Sequence, residues 1–298
     1  MWVKLGLIFS EHHAQLPVAD VHRSFIRVYY STRVGNRSVP LFFDFEKCAP
    51  WRIINIQKDP ILRGGIRGSF DWAGIMPTAI VNISEKVKYL YYIGWSLRKD
   101  VPYHNSLGLA ISEDGGINWK KYSAGPIFGT SRLEPGFVGA VEILRSAKNW
   151  IMYYLSCRRW IEYKDCYEPV YDIKIALSQN GVDWKPMGKT AINLKDDEGG
   201  ITSPRIRPQK NGFEMIFCVR KKIEFRDKSS NAYRIKKSFS SDLINWKRDD
   251  EILIDTSSDG FDSFMTCYPF YFKNNEKEFI LYNGNGFGET GIGLALWT

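Results

Sequence analysis

The stretch GIMPTAIVNISEKVKYLYYIGW, residues 74–95, decides how this chain folds. An apolar run carrying Pro77 leads into a polar turn, and an aromatic-rich run containing Tyr91 and Tyr92 follows. Two β-favouring runs around a polar turn predict an antiparallel hairpin. The arrangement recurs as AQLPVADVHRSFIRVYYST (14–32), GFVGAVEILRSAKNWIMYYLS (136–156), GITSPRIRPQKNGFEMIFCV (200–219) and TCYPFYFKNNEKEFILYNGN (266–285). Pro17, Pro77, Gly139, Pro204 and Pro269 match, in steps of 60, 62, 65 and 65 residues. A repeat of that period points to stacked units of one supersecondary type.

Outward from each hairpin lies a second pair of strands. LGLAISEDGGINWKKY (107–122), IKIALSQNGVDWKPMG (173–188) and IKKSFSSDLINWKRDD (235–250) align through Trp119, Trp184 and Trp246. SVPLFFDFEKCAPWRI (38–53) is a weaker copy carrying Trp51. The fifth unit reaches a third strand, GIGLALW (291–297), and its fourth is expected from the other terminus, where Trp2-Val3-Lys4-Leu5 resembles the Trp-led outer strands. Five four-stranded units predict an all-β, five-bladed β-propeller, a single domain over 1–298 whose last blade is closed by the N-terminal strand.

Composition agrees. The chain has 298 residues, with 10 Trp, 16 Tyr and 18 Phe, and Gly 25 and Pro 13 supply turns. Its 44% hydrophobic and 25% charged content excludes disorder. The net charge of +8 permits nucleic acid, acidic lipid or a small anionic ligand and selects none. The basic residues fall in separate loops without a recognition motif, so no nucleic-acid partner is expected. No stretch is long and apolar enough for a membrane span. Leu5–Phe9, interrupted by Gly6, is too short for a secretion leader, which makes a cytoplasmic location the expectation. Five cysteines, odd in number and without zinc spacing, fit reduced thiols, with a Cys157–Cys166 bridge as the alternative. His12, His13, His22 and His104 show no ligand spacing, so neither metal nor other cofactor is expected.

The register also gives candidate site residues. Five to seven positions before each matched residue stands a carboxylate: Glu11, Asp71, Glu134, Glu198 and Asp262. In a propeller the loops leading into the first strands point at the axis, so these five are the candidate catalytic groups. One carboxyl would remain protonated and another ionised, as glycoside chemistry requires. Changing Asp71 or Glu198 to its amide is then expected to abolish turnover with little change in melting temperature. The loops joining second to third strands form the rim, and four of the five are basic. Arg33 and Arg37 lie in the first, Tyr103 and His104 in the second, Arg158 and Trp160 in the third, Arg220 and Arg226 in the fourth. Asn283 and Glu289 flank the fifth, while His13, Gln15 and Arg205 sit on or beside first strands. Guanidinium forks suit phosphate or carboxylate, and aromatic neighbours stack on sugar rings. His13, Gln15, Tyr103, His104, Arg158, Trp160, Arg205, Arg220, Asn283 and Glu289 are therefore the candidate substrate-binding set.

SEDGGINW and SQNGVDW resemble the Asp-box turns of sialidases, with Asp114 at the box position and Asn180 in place of the second Asp. Over the full chain, the strand openings and Tyr-Tyr second strands resemble the five-bladed glycosidase superfamily of arabinanases, β-xylosidases, invertases, levansucrases and mannosyl phosphorylases. HAQLP, AGIMP, VPYHNSLGLAISEDGG and MTCYP…LYNGNGFGETGIGLA look like an uncharacterised bacterial branch associated with surface-polysaccharide gene sets. The resemblance implies a carbohydrate-active enzyme using funnel carboxylates. Where the superfamily carries an Asp beside Pro on its first innermost strand, this chain has Gln15-Leu16-Pro17. Asp71 matches the second-blade acid by position, and Glu134 or Glu142 the third. An incomplete hydrolytic set inside a basic rim favours glycosyl transfer or phosphorolysis of an anionic glycosyl compound. Arabinanase-type hydrolysis and non-catalytic glycan binding are the alternatives.

Overall fold

The computed structural model describes residues 1–49, 52–146 and 149–298, so Trp51 lies outside the described residues. After β1 (Trp2–Phe9) come β2 (Gln15–Val21), β3 (Phe25–Val34), β4 (Arg37–Glu46) and β5 (Ile53–Ile56). The second meander is β6 (Gly74–Asn82), β7 (Lys88–Leu97), β8 (Tyr103–Ser112) and β9 (Lys120–Lys121). The third is β10 (Val138–Arg145), β11 (Trp150–Tyr163), β12 (Cys166–Ser178) and β13 (Lys185–Ile192). The fourth is β14 (Glu198–Gln209), β15 (Gly212–Lys221), β16 (Arg234–Ser240) and β17 (Lys247–Ile254). The last holds β18 (Cys267–Asn274), β19 (Lys277–Asn283) and β20 (Ile292–Trp297).

Consecutive strands in each meander pair antiparallel, and β1 pairs with β20 from Trp2↔Trp297 to Phe9↔Ile292. The fifth unit is thus completed by the chain's other end. The first strands pack on one another in cyclic order, β2 on β6, β6 on β10, β10 on β14, β14 on β18 and β18 on β2. Among the described residues the regular elements are strands apart from a 3-10 turn at Ser229–Asn231 and one short turn at Asn285–Gly288. No helix among the described residues is long and apolar enough to cross a membrane.

The repeated sequence features have local causes. Every first strand has a register shift at its matched residue: Gln15/Val18, Pro77/Ala79, Gly139/Val141, Thr202/Arg205 and Cys267/Phe270. A bulge leaves a residue out of the ladder, which is where proline's missing N–H does least damage. Before three of these prolines Leu16, Ser203 and Tyr268 adopt φ of 57°, 54° and 50°, left-handed backbone that non-glycine residues adopt seldom.

The two tyrosines of a second strand point to opposite faces, as strand alternation requires. The first binds the next meander. Tyr91 donates to the Gly181 carbonyl at 2.7 Å and Tyr153 to that of Leu243 at 2.6 Å. Tyr29, Tyr91 and Tyr153 meet Trp119, Trp184 and Trp246 edge-on at 5.8, 6.4 and 5.7 Å. Such edge contacts add about 0.5–1.5 kcal/mol each beyond area burial. The turns that carry these tryptophans are self-contained. Asp114 Oδ1 accepts from the Asn118 and Ile117 amides at 2.9 and 3.1 Å, Asn180 Oδ1 from those of Val182 and Asp183, and Asp242 Oδ1 from those of Ile244 and Asn245. The Asn118 hydrogen bonds hold the Asp114 carboxyl down at about 2. Asp242 makes a third such turn, although SSDLINW lacks the glycine present in the other two.

Candidate functional site

Tyr92, Tyr154 and Tyr282 each donate to a lead-in carboxylate, whereas Tyr30 Oη has no hydrogen-bond partner among the described residues. Asp71 is fully buried and accepts from the Gly65 amide at 3.0 Å, Ser69 Oγ at 3.1 Å, Tyr92 Oη at 3.3 Å and Lys121 Nζ. Glu134, also fully buried, accepts from Tyr154 Oη at 2.7 Å, from Ser156 Oγ, and from Lys174 Nζ at 3.1 Å to each oxygen. Asp262 takes Tyr282 Oη at 2.9 Å and Lys4 Nζ at 2.8 Å. In the fourth meander Phe217-Cys218 replaces the tyrosine pair, and Glu198 instead binds both terminal nitrogens of Arg248 and the Lys195 amide at 2.9 Å. Glu11 is exposed and makes no hydrogen bond among the described residues. The five acids do share a register, but four of them tie a lead-in loop to its own second, third or outer strand.

The cavity on the axis is built by other residues. It holds about 310 Å³ and draws its walls from all five meanders. His13, Gln15, Leu16 and Arg33 come from the first, Met76, Ile93, Trp95, Tyr103 and Asn105 from the second. Phe137, Leu155, Pro169 and Tyr171 come from the third, Thr202, Arg220, Phe225, Arg226 and Tyr233 from the fourth, and Tyr268 and Phe287 from the fifth. No Asp or Glu is among these lining residues, so the expected convergence of acids does not occur at this wall.

Arg220 is the buried charge of the site, 2% exposed. Its guanidinium stacks 3.7 Å over the Phe225 ring and 5.0 Å from that of Tyr171. Nε donates to Tyr171 Oη at 3.1 Å, and the terminal nitrogens donate to the Lys221 and Pro169 carbonyls, each at 2.8 Å. Tyr171 Oη also meets Tyr233 Oη. A guanidinium carries five N–H groups, so two of Arg220 are left over. Arg220 makes no ion pair among the described residues, whereas Arg226 pairs with Glu168. Arg33 lies 5.4 Å over the Trp95 ring at the mouth. Burial, then Arg33, lowers the His13 pKa against an opposing pull from Glu289, so its imidazole is neutral at pH 7.

Of the candidate substrate-binding set, His13, Gln15, Tyr103 and Arg220 line this cavity, as do the rim residues Arg33 and Arg226. Arg205 does lie at the axis but is consumed there as a plug. It donates to the carbonyls of Pro269 at 3.0 Å, Val141 at 2.7 Å and Thr78 at 2.8 Å, and to Glu142 at 3.2 Å. Asn283 is likewise spent on backbone, accepting from the Leu16 amide and donating to the Ala14 and Gly291 carbonyls. Arg158 pairs with Asp172, His104 meets Thr130 Oγ1 at 3.1 Å, and Trp160 packs behind the wall against Tyr103 at 5.4 Å. Glu289 is exposed beside Gly286. The residues passed over are Asn105, Tyr171, Tyr233, Tyr268 and Phe287. Three of these stand inside the motifs VPYHNSLGLA, MTCYP and NGNGFGETG, at positions that do not repeat between meanders. All five cysteines are free, with Cys157 buried and Cys166 exposed. Among the described residues no cluster of three or more His, Cys, Asp or Glu could hold a metal ion.

No protein-family model matches the chain. The uncharacterised protein Rv1502 of Mycobacterium tuberculosis is 33% identical over 308 aligned residues, spanning 99% of this chain and 98% of its own. This chain belongs to the Rv1502 family. A second strain's copy, the uncharacterised protein MT1551, matches to the same extent. Solved structures place the Rv1502-family chain in the propeller-glycosidase fold. A BT0996 RGII complex superposes with TM-score 0.75 at 15% identity, covering 99% of this chain and 91% of that one. A structure from work on GH130 mannoside phosphorylases and glycoside hydrolases that target β-1,2 mannosidic linkages in Candida mannan gives 0.73 at 15%, over 97% and 85%. A thermostable family-43 glycoside hydrolase gives 0.69 at 14%, over 97% and 89%. Identities this low bear on fold alone.

Proposed function

We propose that the five meanders are the blades of one closed propeller domain over 1–298, and that its axial cavity takes an anionic glycosyl compound for glycosyl transfer or phosphorolysis. The cyclic packing of the first strands and the completion of the last meander by β1 support the closed ring. The observation that carries the ligand class is Arg220, a buried guanidinium without an ion-pair partner among the described residues, on a wall that holds no carboxylate. A buried charge is costly unless paired, and a ligand phosphate or carboxylate would pair it. Aromatic faces around it suit the apolar face of a sugar ring. During transfer the same guanidinium would stabilise charge on a phosphoryl group, with neutral His13 able to accept a proton. A sugar phosphate or nucleotide sugar suits a cytoplasmic protein of surface-polysaccharide assembly.

Hydrolysis by paired carboxyls about 5–10 Å apart is less well supported, because neither partner stands on the cavity wall. That same lack favours a non-catalytic glycan-binding propeller as the second reading. A thermal-shift panel of hexose phosphates, nucleotide sugars, uronic acids, inorganic phosphate and neutral sugars tests the proposal. Saturation by a true ligand at a hundredfold excess over its Kd stabilises by about 2.7 kcal/mol, a shift of roughly 5 °C or more. Stabilisation by neutral sugars alone would refute the anionic reading, and turnover of a stabilising ligand would separate enzyme from binder.

A further inference from the structure

Gly139 leaves a place in the cavity wall that no side chain fills. It stands at the register position where the other four meanders carry Pro17, Pro77, Pro204 and Pro269. Its φ lies outside the left-handed region, so the backbone does not require glycine there. Close packing does not require it either. A Cβ at Gly94 or Gly136 would run into Phe70 or Cys157. A Cβ at Gly139 would instead have Ile93 Cδ1 and Leu155 Cδ2 at 3.8 Å and Asn105 Nδ2 at 3.9 Å as its nearest neighbours, all at ordinary contact distance. Gly139 and these three residues line the axial cavity.

The gap is methyl-sized, and its surroundings are of two kinds. Two of the three neighbours are the methyl ends of aliphatic side chains. Around them Leu16, Ile93 and Ala140 form a small apolar cluster with Met76 and Tyr268 packed against it, and all five residues line the cavity. Protein interiors are close-packed, and an unfilled place beside apolar atoms forfeits contacts that a bound methyl would restore. The third neighbour, the Asn105 amide nitrogen, only donates hydrogen bonds. A ligand group that offers a methyl and, beside it, a hydrogen-bond acceptor matches this pair. A plain hexose has no methyl, and a 6-deoxyhexose has a methyl without a carbonyl. An acetamido substituent has both.

We infer that the recess at Gly139 seats the acetyl methyl of an N-acetylhexosamine, with the acetyl carbonyl oxygen accepting from Asn105 Nδ2. The inference rests on the anionic-glycosyl reading above, in which Arg220 holds the anion, and adds to it the substituent that the sugar carries. Ile93 and Asn105 stand on β7 and β8, Gly139 and Leu155 on β10 and β11, so the recess lies at the seam of the second and third meanders. Arg220 stands on β15 in the fourth, and the two groups address different parts of the ligand.

Isothermal titration on the full chain tests this. The panel is the 1-phosphates of N-acetylglucosamine, N-acetylgalactosamine and N-acetylmannosamine, the matching hexose 1-phosphates, a 6-deoxyhexose 1-phosphate and inorganic phosphate. One buried methyl and one neutral hydrogen bond together correspond to roughly tenfold or more in affinity. The best acetamido sugar phosphate should therefore bind about tenfold or more tighter than its hexose partner. Gly139→Ala, which puts its own methyl into the recess, should bring the acetamido member down to the affinity of that partner. Its melting temperature should equal or exceed that of wild type, because alanine restricts the unfolded chain. Absence of an acetamido preference in the wild type, or a 6-deoxyhexose phosphate bound tighter than every acetamido member, would overturn the recess while the anionic reading survives. So would an acetamido preference that persists in Gly139→Ala, or equal weakening of both members of a pair by that change. Wild-type protein that binds none of the phosphates would overturn both.

Discussion

Asp71→Asn distinguishes a structural carboxylate from a catalytic one. The side chain keeps its shape but loses its charge, in a site where the carboxylate accepts from the Gly65 amide, Ser69, Tyr92 and Lys121. An amide presents one nitrogen where the carboxylate presented an oxygen, so donor faces donor at one of the two positions. Removing one partner of a buried ion pair typically costs about 3–5 kcal/mol. The Lys121 side chain retains 23% exposure and can turn partly to water. The low end therefore applies, about 3 kcal/mol. For a chain of this length each kcal/mol moves the melting temperature by roughly 2–4 °C, which gives a fall of roughly 6–12 °C. Differential scanning calorimetry of Asp71→Asn beside Glu11→Gln is the assay. The Glu11 change, on an exposed side chain, should leave stability within about 0.5 kcal/mol. A double-mutant cycle with Lys121→Met should show coupling of about 0.5–3 kcal/mol. Ligand affinity of Asp71→Asn at low temperature should match wild type. An unchanged melting temperature with ligand binding or turnover lost would refute this reasoning and return the acid to the site.

Three further outcomes follow from the same contacts. Burial pushes the Asp262 carboxyl up, but hydrogen bonds from Lys4, Ser257 and Tyr282 outweigh it and hold it below its ordinary 3.8. A carboxylate lowered on folding contributes stability that is complete above its unfolded pKa and is lost as pH falls through the folded one. Urea midpoints should therefore drop below about pH 4, and Lys4→Met should flatten that part of the profile; an identical acid limb in the variant would contradict the assignment. Arg205→Met strips donors from three carbonyls and Glu142 at the axis, so it should destabilise by at least about 3–5 kcal/mol, visible as lost near-ultraviolet circular dichroism or insoluble protein. Cys48 and Cys166 are exposed, while burial pushes the Cys157 thiol up to about 11 and that of Cys218 to about 12. Thiol titration should thus find two fast groups in native protein and the remainder after unfolding, and early reaction of Cys157 or Cys218 would contradict the packing.

Architecture was legible because it repeats. The matched prolines mark bulges, the Tyr91-Tyr92 and Tyr153-Tyr154 pairs carry one side chain to the next meander and one to a lead-in loop, and the Trp turns recur even at Asp242, where the glycine is gone. The same regularity singled out Asp71, Glu134, Glu198 and Asp262, which pair with Lys121, Lys174, Arg248 and Lys4, while Glu11 is exposed. The cavity is made where the repeat breaks. Arg220, Gln15 and Asn105 have no counterparts in the other copies, and which of many single differences face the axis depends on strand pairing and on the left-handed bulges at Leu16 and Tyr268. Arg205 shows the remaining gap, since a basic residue placed correctly on the axis could not be known from sequence to have spent its donors on Pro269, Val141 and Thr78.

The central claim is that the ligand site is the axial cavity around Arg220 and not the ring of buried acids. A crystal structure of the protein soaked in a hexose 1-phosphate that stabilises it tests this most directly. Phosphate oxygens are expected at about 2.7–3.0 Å from the terminal nitrogens of Arg220, with the sugar inside the axial cavity. Density for the sugar against Asp71 or Glu198, with the cavity at Arg220 filled by solvent, would contradict it.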